Sequence, residues 1–194
     1  MTPRDVQTPV RDGACTGVAL LLALFVAALV VALAAGEAQA QTAPSGEVLA
    51  YEAESLQETK AATASLRAQG NCCGISWSNN AQLLLRSTEV GDTFTVGGRS
   101  FTVQSGGVYN FSAVLTRGPN YGTYQLAIDG REIGGPFDAY NPTVQKTEPL
   151  DFGKVRLQKG SHTLTLTITG KNPAATNYYA GLDVLYFEPE GRAS

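Results

Sequence analysis

The chain has 194 residues, 14 basic and 17 acidic side chains, a net charge of −3 and a 43% share of hydrophobic residues. That length suits one domain with a proper core, and the unclustered, slightly acidic charge excludes a nucleic-acid-binding surface. The single histidine leaves no pair of imidazoles for a zinc site.

Residues 1–40 have the layout of an export signal. Met1 to Thr16 is polar, Val18 to Ala35 is an unbroken apolar run, and Gly36-Glu37 ends it before Ala38-Gln39-Ala40. The small-x-small pattern is what signal peptidase cleaves after, so the mature chain is expected to begin at Gln41. Eighteen apolar residues also just reach the length that spans a bilayer, so an uncleaved hydrophobic helix over 18–35 stays open as a membrane anchor. Either way the rest of the chain is expected outside the cytoplasm, secreted or tethered at the cell surface. Arg4, Arg11, Asp5, Asp12 and Glu37 leave with the signal, so 12 basic and 14 acidic residues remain and the net charge is −2. Residues 41–47 read as a linker, 48–188 as the domain and 189–194 as a tail.

After position 47 apolar residues recur with period two, and no dozen residues keep a helical period. Strands are predicted near 48–54, 61–67, 81–86, 92–96, 99–103, 109–115, 124–128, 154–158, 161–169 and 180–187. The clearest is 161–169, where Leu164, Leu166 and Ile168 face the core between outward threonines. Tyr109, Phe111, Ala113 and Leu115 alternate likewise, and Tyr124, Leu126 and Ile128 lead into Asp129-Gly130, a hairpin turn signal. Gly97-Gly98, Ser105-Gly106-Gly107 and Lys159-Gly160 punctuate the rest as expected turns. Short strands at this spacing predict an all-β fold, an antiparallel β-sandwich or jelly roll. Polar residues gather in the connections 69–80, 116–122 with 134–149, and 170–179, where a site is to be sought.

Tyr51-Glu52-Ala53-Glu54, Leu115 to Gly122, Gln125 to Gly130, Phe137-Asp138-Ala139-Tyr140, Gly160 to Leu164, Gly170-Lys171-Asn172 and Gly181-Leu182-Asp183 follow one another in a familiar order. The series, over about 48–188, resembles the galactose-binding-like β-sandwiches, including carbohydrate-binding modules of families 6 and 35. It also resembles the accessory jelly-roll domains of secreted bacterial glycoside hydrolases. The resemblance implies binding of a glycan or polysaccharide without catalysis, since 154 residues leave no room for a catalytic domain beside the module. A structural or assembly protein of the cell surface, using the same loops for protein contacts, is the alternative.

Under that reading several loop residues are candidates for ligand contact. Trp77, the sole tryptophan, lies in Ser76-Trp77-Ser78-Asn79-Asn80 and either stacks on a sugar face or plugs the end of the core. Asn120, Tyr121, Asp138, Tyr140, Asn172, Asn177, Tyr178 and Tyr179 supply amides, a carboxylate and aromatic rings from the other loops. Cys72 and Cys73 are the only cysteines after the signal, in an oxidising compartment, and a vicinal disulfide between them is expected. Neighbouring Cα atoms lie about 3.8 Å apart, below the usual disulfide range of about 4.4–6.8 Å, so such a bridge stiffens the turn into an apolar knob. Two free thiols, a plain kink and an intermolecular bridge are the other readings of the pair. The resemblance further implies that Glu52, Glu54 and Asp183 help to hold a structural calcium ion, with backbone carbonyls completing the shell.

Catalytic chemistry has little support. His162, in Gly160-Ser161-His162, is read as structural, and no Ser/His/Asp set is evident. Asp138, Glu148 and Asp151 are loop acids without a deep cleft to pair in. The glycosylation pattern Asn110-Phe111-Ser112 falls inside a predicted strand and is read as incidental.

Overall fold

The computed structural model describes residues 46–191. The signal at 1–40, its membrane-anchor alternative, Cys15, most of the linker and residues 192–194 lie outside the described residues. The described part is built from twelve strands: β1 (Leu49–Glu52), β2 (Gln57–Lys60), β3 (Ser65–Gly70), β4 (Ala81–Arg86), β5 (Thr93–Val103), β6 (Gly107–Arg117), β7 (Thr123–Ile128), β8 (Arg131–Asp138), β9 (Gln145–Lys146), β10 (Leu150–Leu157), β11 (Gly160–Gly170) and β12 (Ala180–Pro189). Two single 3₁₀ turns, Ala53–Ser55 and Ser78–Asn80, are the helical elements among them.

The strands form two sheets, as the alternating pattern predicts. One runs β10-β6-β12-β4-β3, with β1 beside β12 and β9 beside β6; the other runs β2-β5-β11-β7-β8. Strand pairing within both sheets is antiparallel. The residues chosen by period two fill the space between them: Leu164, Leu166, Ile168, Phe111, Ala113, Leu115, Tyr124 and Leu126 are all buried. Outward threonines of β11 meet those of β5 across the ladder, Thr165 with Thr95 at 3.0 Å and Thr167 with Thr93 at 3.2 Å. His162 has the structural role expected of it. It is buried, with Nδ1 2.6 Å from an Asp129 carboxylate oxygen and Nε2 2.8 Å from the Gln158 carbonyl.

Local details depart from the predicted strands. Gly97-Gly98 does not end the strand; both glycines have positive φ, pair with Thr163 and His162, and stand beside a bulge in the single long strand β5, between Gly98 and Thr102. A side chain at Gly97 would place its Cβ 2.5 Å from the His162 carbonyl oxygen. The predicted strand 61–67 is replaced by β2 and β3 on either side of a break at 61–64, which moves the chain from one sheet to the other. Part of the expected loop 134–149 is strand, since β8 extends to Asp138 and pairs with Thr123.

Candidate functional site

The site is laid out by the register of β3 on β4. Arg67 lies opposite Leu84, Gln69 opposite Gln82 and Ser65 opposite Arg86. Side chains two apart share a face, so Arg67, Gln69, Gln82, Leu84 and Arg86 fall on one side of the sheet, and Leu83 and Leu85 on the core side. Gly181 of β12 stands between Leu84 and Thr116 of β6 on that outer side. Its missing side chain makes room for the Gln82 carboxamide, into which an added Cβ would collide.

Over Gly181 runs a chain of buried hydrogen bonds. Trp77 Nε1 donates to Thr116 Oγ1 at 2.9 Å, and that hydroxyl donates to Gln82 Oε1 at 2.6 Å. Gln82 Nε2 donates to Gln69 Oε1 at 2.8 Å and reaches the Tyr121 hydroxyl at 3.3 Å. Gln69 Nε2 in turn faces Cys72 Sγ at 3.5 Å. Thr116 and Gln82 are fully buried, so their mutual pairing is what makes polar residues tolerable there. Burial pushes the Tyr121 phenol up to about 12, against the opposing effect of the Gln82 hydrogen bond, so it remains a neutral hydroxyl.

This chain underlies a small cleft of about 110 Å³, lined among others by Cys72, Cys73, Asn120, Tyr121, Tyr179 and Arg86. The wall loops are laced together: Tyr179 N–H donates to the Asn120 carbonyl, Gly122 N–H to Tyr179 and Thr176 N–H to Pro119, at 2.8–3.0 Å. Tyr179 meets Tyr121 edge to face, with centroids 6.3 Å apart, and the Arg86 guanidinium lies 5.7 Å from the Tyr179 centroid. Neither Asn120's carboxamide nor Arg86's guanidinium is engaged by a hydrogen bond or ion pair among the described residues.

The predicted contact residues divide. Cys72, Cys73, Trp77, Asn120 and Tyr121 come together around the cleft. Trp77 is only 4% exposed and spends its N–H on Thr116 at the outer face of the sheet, so it is neither an open stacking platform nor a plug in the core between the sheets. Asp138, Tyr140, Asn172 and Tyr178 do not line the cleft. Asp138 accepts Asn172 Nδ2 at 2.9 Å and the Tyr140 N–H at 3.0 Å, bracing two loops against each other. Tyr178 instead carries the Lys171 ammonium over its ring at 4.6 Å, and its neighbour Tyr179 takes the place in the cleft. Gln69 and Arg86 had no local signal beyond the alternation of β3 and β4, which puts Arg86 on the face of Gln82.

The cysteines are thiols in this structure, with sulfurs 2.9 Å apart, well beyond the length of a disulfide bond. Cys73 has a φ of 58°, which turns the chain sharply at the pair. The Cys72 thiol is pushed up, first by its contact with Cys73 and then by burial, while the charge of Arg67 acts the other way.

The three predicted metal ligands meet at the turn that follows Trp77. Ser78 Oγ donates to Glu52 Oε1 at 2.7 Å, Ser78 N–H to Asp183 Oδ1 at 2.9 Å and Asn79 Nδ2 to Glu54 Oε1 at 2.9 Å. Asn79 and Asn80 have positive φ, which asparagine tolerates. The second oxygen of each carboxylate is buried without a hydrogen-bond partner. Lys146 Nζ bonds the Ser76 carbonyl at 3.1 Å and lies 3.5 Å from Asp183 Oδ2, an ion pair too long for a good hydrogen bond. Burial raises the Asp183 carboxyl, opposed by Lys146 and the Ser78 N–H. Among the described residues no three acidic, imidazole or thiol groups converge into a metal site outright.

No protein-family model matches the chain, and no curated protein does. Among solved structures it is similar to Paenibacillus xanthan lyase, at 25% identity and a TM-score of 0.64, over 77% of this chain and 13% of that one. It is also similar to a family 35 carbohydrate-binding module from Clostridium thermocellum, at 17% identity and a TM-score of 0.45, over 72% of this chain and 98% of that one. A Podospora anserina GH26-CBM35 β-(1,4)-mannanase matches at 15% identity and a TM-score of 0.46, over 76% of this chain and 28% of the mannanase. The likeness to that part of the lyase is one of fold, an antiparallel β-sandwich, as the alternating pattern predicted.

Proposed function

We propose that the protein is an exported module that binds a glycan in the cleft beside Tyr179 and does no catalysis. The observation that carries this reading is the cleft itself: aromatic walls and a buried polar floor beneath two polar side chains, Asn120 and Arg86, that no hydrogen bond or ion pair engages. A saccharide needs that combination, an apolar surface for its ring and a few placed donors and acceptors for its hydroxyls. At about 110 Å³ the cleft is well below an ordinary ligand pocket of about 300–1,000 Å³, so it takes one sugar unit of a chain. The compartment is set by residues 1–40, and membrane attachment arises only if 18–35 stay uncleaved.

Two further features belong to this reading. In an oxidising compartment Cys72 and Cys73 join as a vicinal disulfide and harden one wall of the cleft. Glu52, Glu54 and Asp183 hold a calcium ion through the oxygens that accept no hydrogen bond, the ion taking the place of the Lys146 ammonium at Asp183 Oδ2, a donor set that suits a hard cation. Such an ion offsets the clustered negative charge and pins the turn whose first residue, Trp77, floors the cleft.

The test is a glycan array on the mature protein, followed by calorimetry of the best ligand with Asn120→Ala and Tyr179→Ala. Each variant is expected to lose about tenfold or more in affinity; Asn120→Ala should melt within a few degrees of the parent, whereas Tyr179→Ala removes a ring packed against the core and should melt lower. Absence of glycan binding together with self-association would favour the assembly-protein reading. Alkylation and intact mass with and without reductant test the bridge, which two thiols titrating before reduction would refute.

A further inference from the structure

Resting on Glu52, Glu54 and Asp183 as a cation site, we infer that Lys146 is a tethered competitor of that cation. Its ammonium closes the site when no ion is there and must leave for one to enter. Each of the three carboxylates has one oxygen held by Ser78 or Asn79 and a second, buried oxygen that accepts no hydrogen bond. Buried carboxylates gathered on one turn need a counter-charge. Lys146 supplies it: Nζ lies 3.5 Å from Asp183 Oδ2 and donates to the Ser76 carbonyl at 3.1 Å. Lys146 and Glu52 act on the Asp183 carboxyl in opposite directions, as a counter-ion and a like charge at one site do.

The two atoms next to the ammonium are of the kind a hard cation uses, a carboxylate oxygen and a backbone carbonyl. One place cannot hold both positive charges. The ammonium also does the work incompletely. Its distance to Asp183 is beyond that of a good hydrogen bond, and Glu52 Oε2 and Glu54 Oε2 stay unpaired. One positive charge faces three negative ones, where a divalent ion would bring two. Lysine suits a replaceable counter-ion, because its ammonium is a point charge on a flexible stem. The Lys146 side chain is 37% exposed against 1% for Asp183, so it has a way out to water.

The tether is β9. That strand is Gln145–Lys146 alone, opposite Arg117 and Thr116 of β6. Thr147 adds two bonds to Leu115: its N–H donates to the Leu115 carbonyl at 2.9 Å, and its hydroxyl accepts the Leu115 N–H at 3.0 Å. The backbone of Lys146 therefore stays beside the site whether the side chain is in or out. A competitor held in this way acts at a high effective concentration. The consequence is a domain that folds without the ion and binds it more weakly than its three carboxylates alone would.

The experiment compares the mature protein with Lys146→Met, and with Lys146→Gln in its place should the first not fold in chelator. The readouts are calorimetry with calcium chloride, melting in chelator and in saturating calcium, and NMR of the lysine ammonium groups. Lys146→Met is expected to bind calcium about tenfold or more tighter than the parent. It should melt lower than the parent in chelator and together with it in saturating calcium. The parent's Lys146 ammonium signal, identified by its loss in the variant, should be visible in chelator and vanish into exchange with water when calcium is added. Unchanged calcium affinity in Lys146→Met, with melting lowered equally in both buffers, would overturn the competitor and leave the cation site standing. Weaker binding by the variant would do the same, since Lys146 would then support the ion. Calcium binding by Lys146→Met but not by the parent would sustain the inference and show the ammonium shutting the ion out. No binding by either form would overturn the cation site and the inference together.

Discussion

Replacing Thr116 with valine exchanges one hydroxyl for a methyl group at nearly constant volume, in the middle of the buried chain beneath the cleft. Two groups lose their partner: Trp77 Nε1–H, which donates to that hydroxyl, and Gln82 Oε1, which accepts from it. Both sit where water does not reach, since Trp77 is 4% and Gln82 0% exposed. An orphaned buried polar group costs about 1–3 kcal/mol, so Thr116→Val should lose about 2–5 kcal/mol of stability. In a domain of this size, where 1 kcal/mol moves the midpoint by about 2–4 °C, the melting temperature should fall by roughly 5–15 °C. Urea unfolding followed through the emission of the single tryptophan reads the change at the perturbed site. Thr116→Ser keeps the hydroxyl and should cost only about 1 kcal/mol, for the lost methyl group. Adding Trp77→Phe to Thr116→Val removes one orphaned donor, so the double variant, followed by circular dichroism, should lose less than the sum of the single losses. A Thr116→Val loss below about 0.5 kcal/mol, the range of an ordinary surface change, would refute the chain as a load on stability.

Three further outcomes are expected. Gly181→Ala pushes a methyl group into the Gln82 carboxamide and against Thr116, with an expected cost of about 1–3 kcal/mol; chemical denaturation showing no loss would mean the carboxamide moves freely. Burial acts to raise the Asp92 carboxyl, but hydrogen bonds from Ser87, Thr63 and the N–H groups of Thr88 and Glu89 outweigh it and hold the group below its ordinary value. Its stabilisation is therefore present above the ordinary carboxylate range and lost as pH falls through the folded value. Asp92→Asn should then cost about 2 kcal/mol at neutral pH, a gap that closes in acid; a gap constant with pH in parallel denaturation curves would contradict this. Calcium should raise the melting temperature and chelator lower it, with both responses lost in Glu54→Gln and Asp183→Asn, and an equal response to calcium in these variants would remove the carboxylates from the ion's shell.

The sandwich was legible in the sequence because its signal is local. Leu164, Leu166 and Ile168 of β11, or Tyr109 to Leu115 of β6, alternate in and out of the core, and the pleat alone converts that spacing into one buried face. Glu52, Glu54 and Asp183 drew attention through a family resemblance and not through local alternation, and each accepts a hydrogen bond from Ser78 or Asn79. Gly97-Gly98 shows the limit. A glycine pair satisfies a turn and a bulge equally, and only the partner strand, with the His162 carbonyl closing on Gly97, decides for the bulge.

The cleft belonged to tertiary structure almost throughout. Nothing near Arg86 in the chain foretells Tyr179, because their meeting depends on the pairing of β4 with β12, where Ala180 lies opposite Leu85. Tyr178 and Tyr179 are equivalent in a sequence, yet the lacing of Tyr179 to Asn120 and Gly122 turns one ring into the cleft and leaves the other under Lys171. Trp77 drew attention for its rarity, but burial and a hydrogen bond to Thr116, thirty-nine residues away, gave it to the floor. Pleat periodicity is set by neighbours two residues apart, so alternation in the chain was enough for the all-β class and for most of the buried face. The site is set by register between strands far apart in the chain, which only the folded sheets decide.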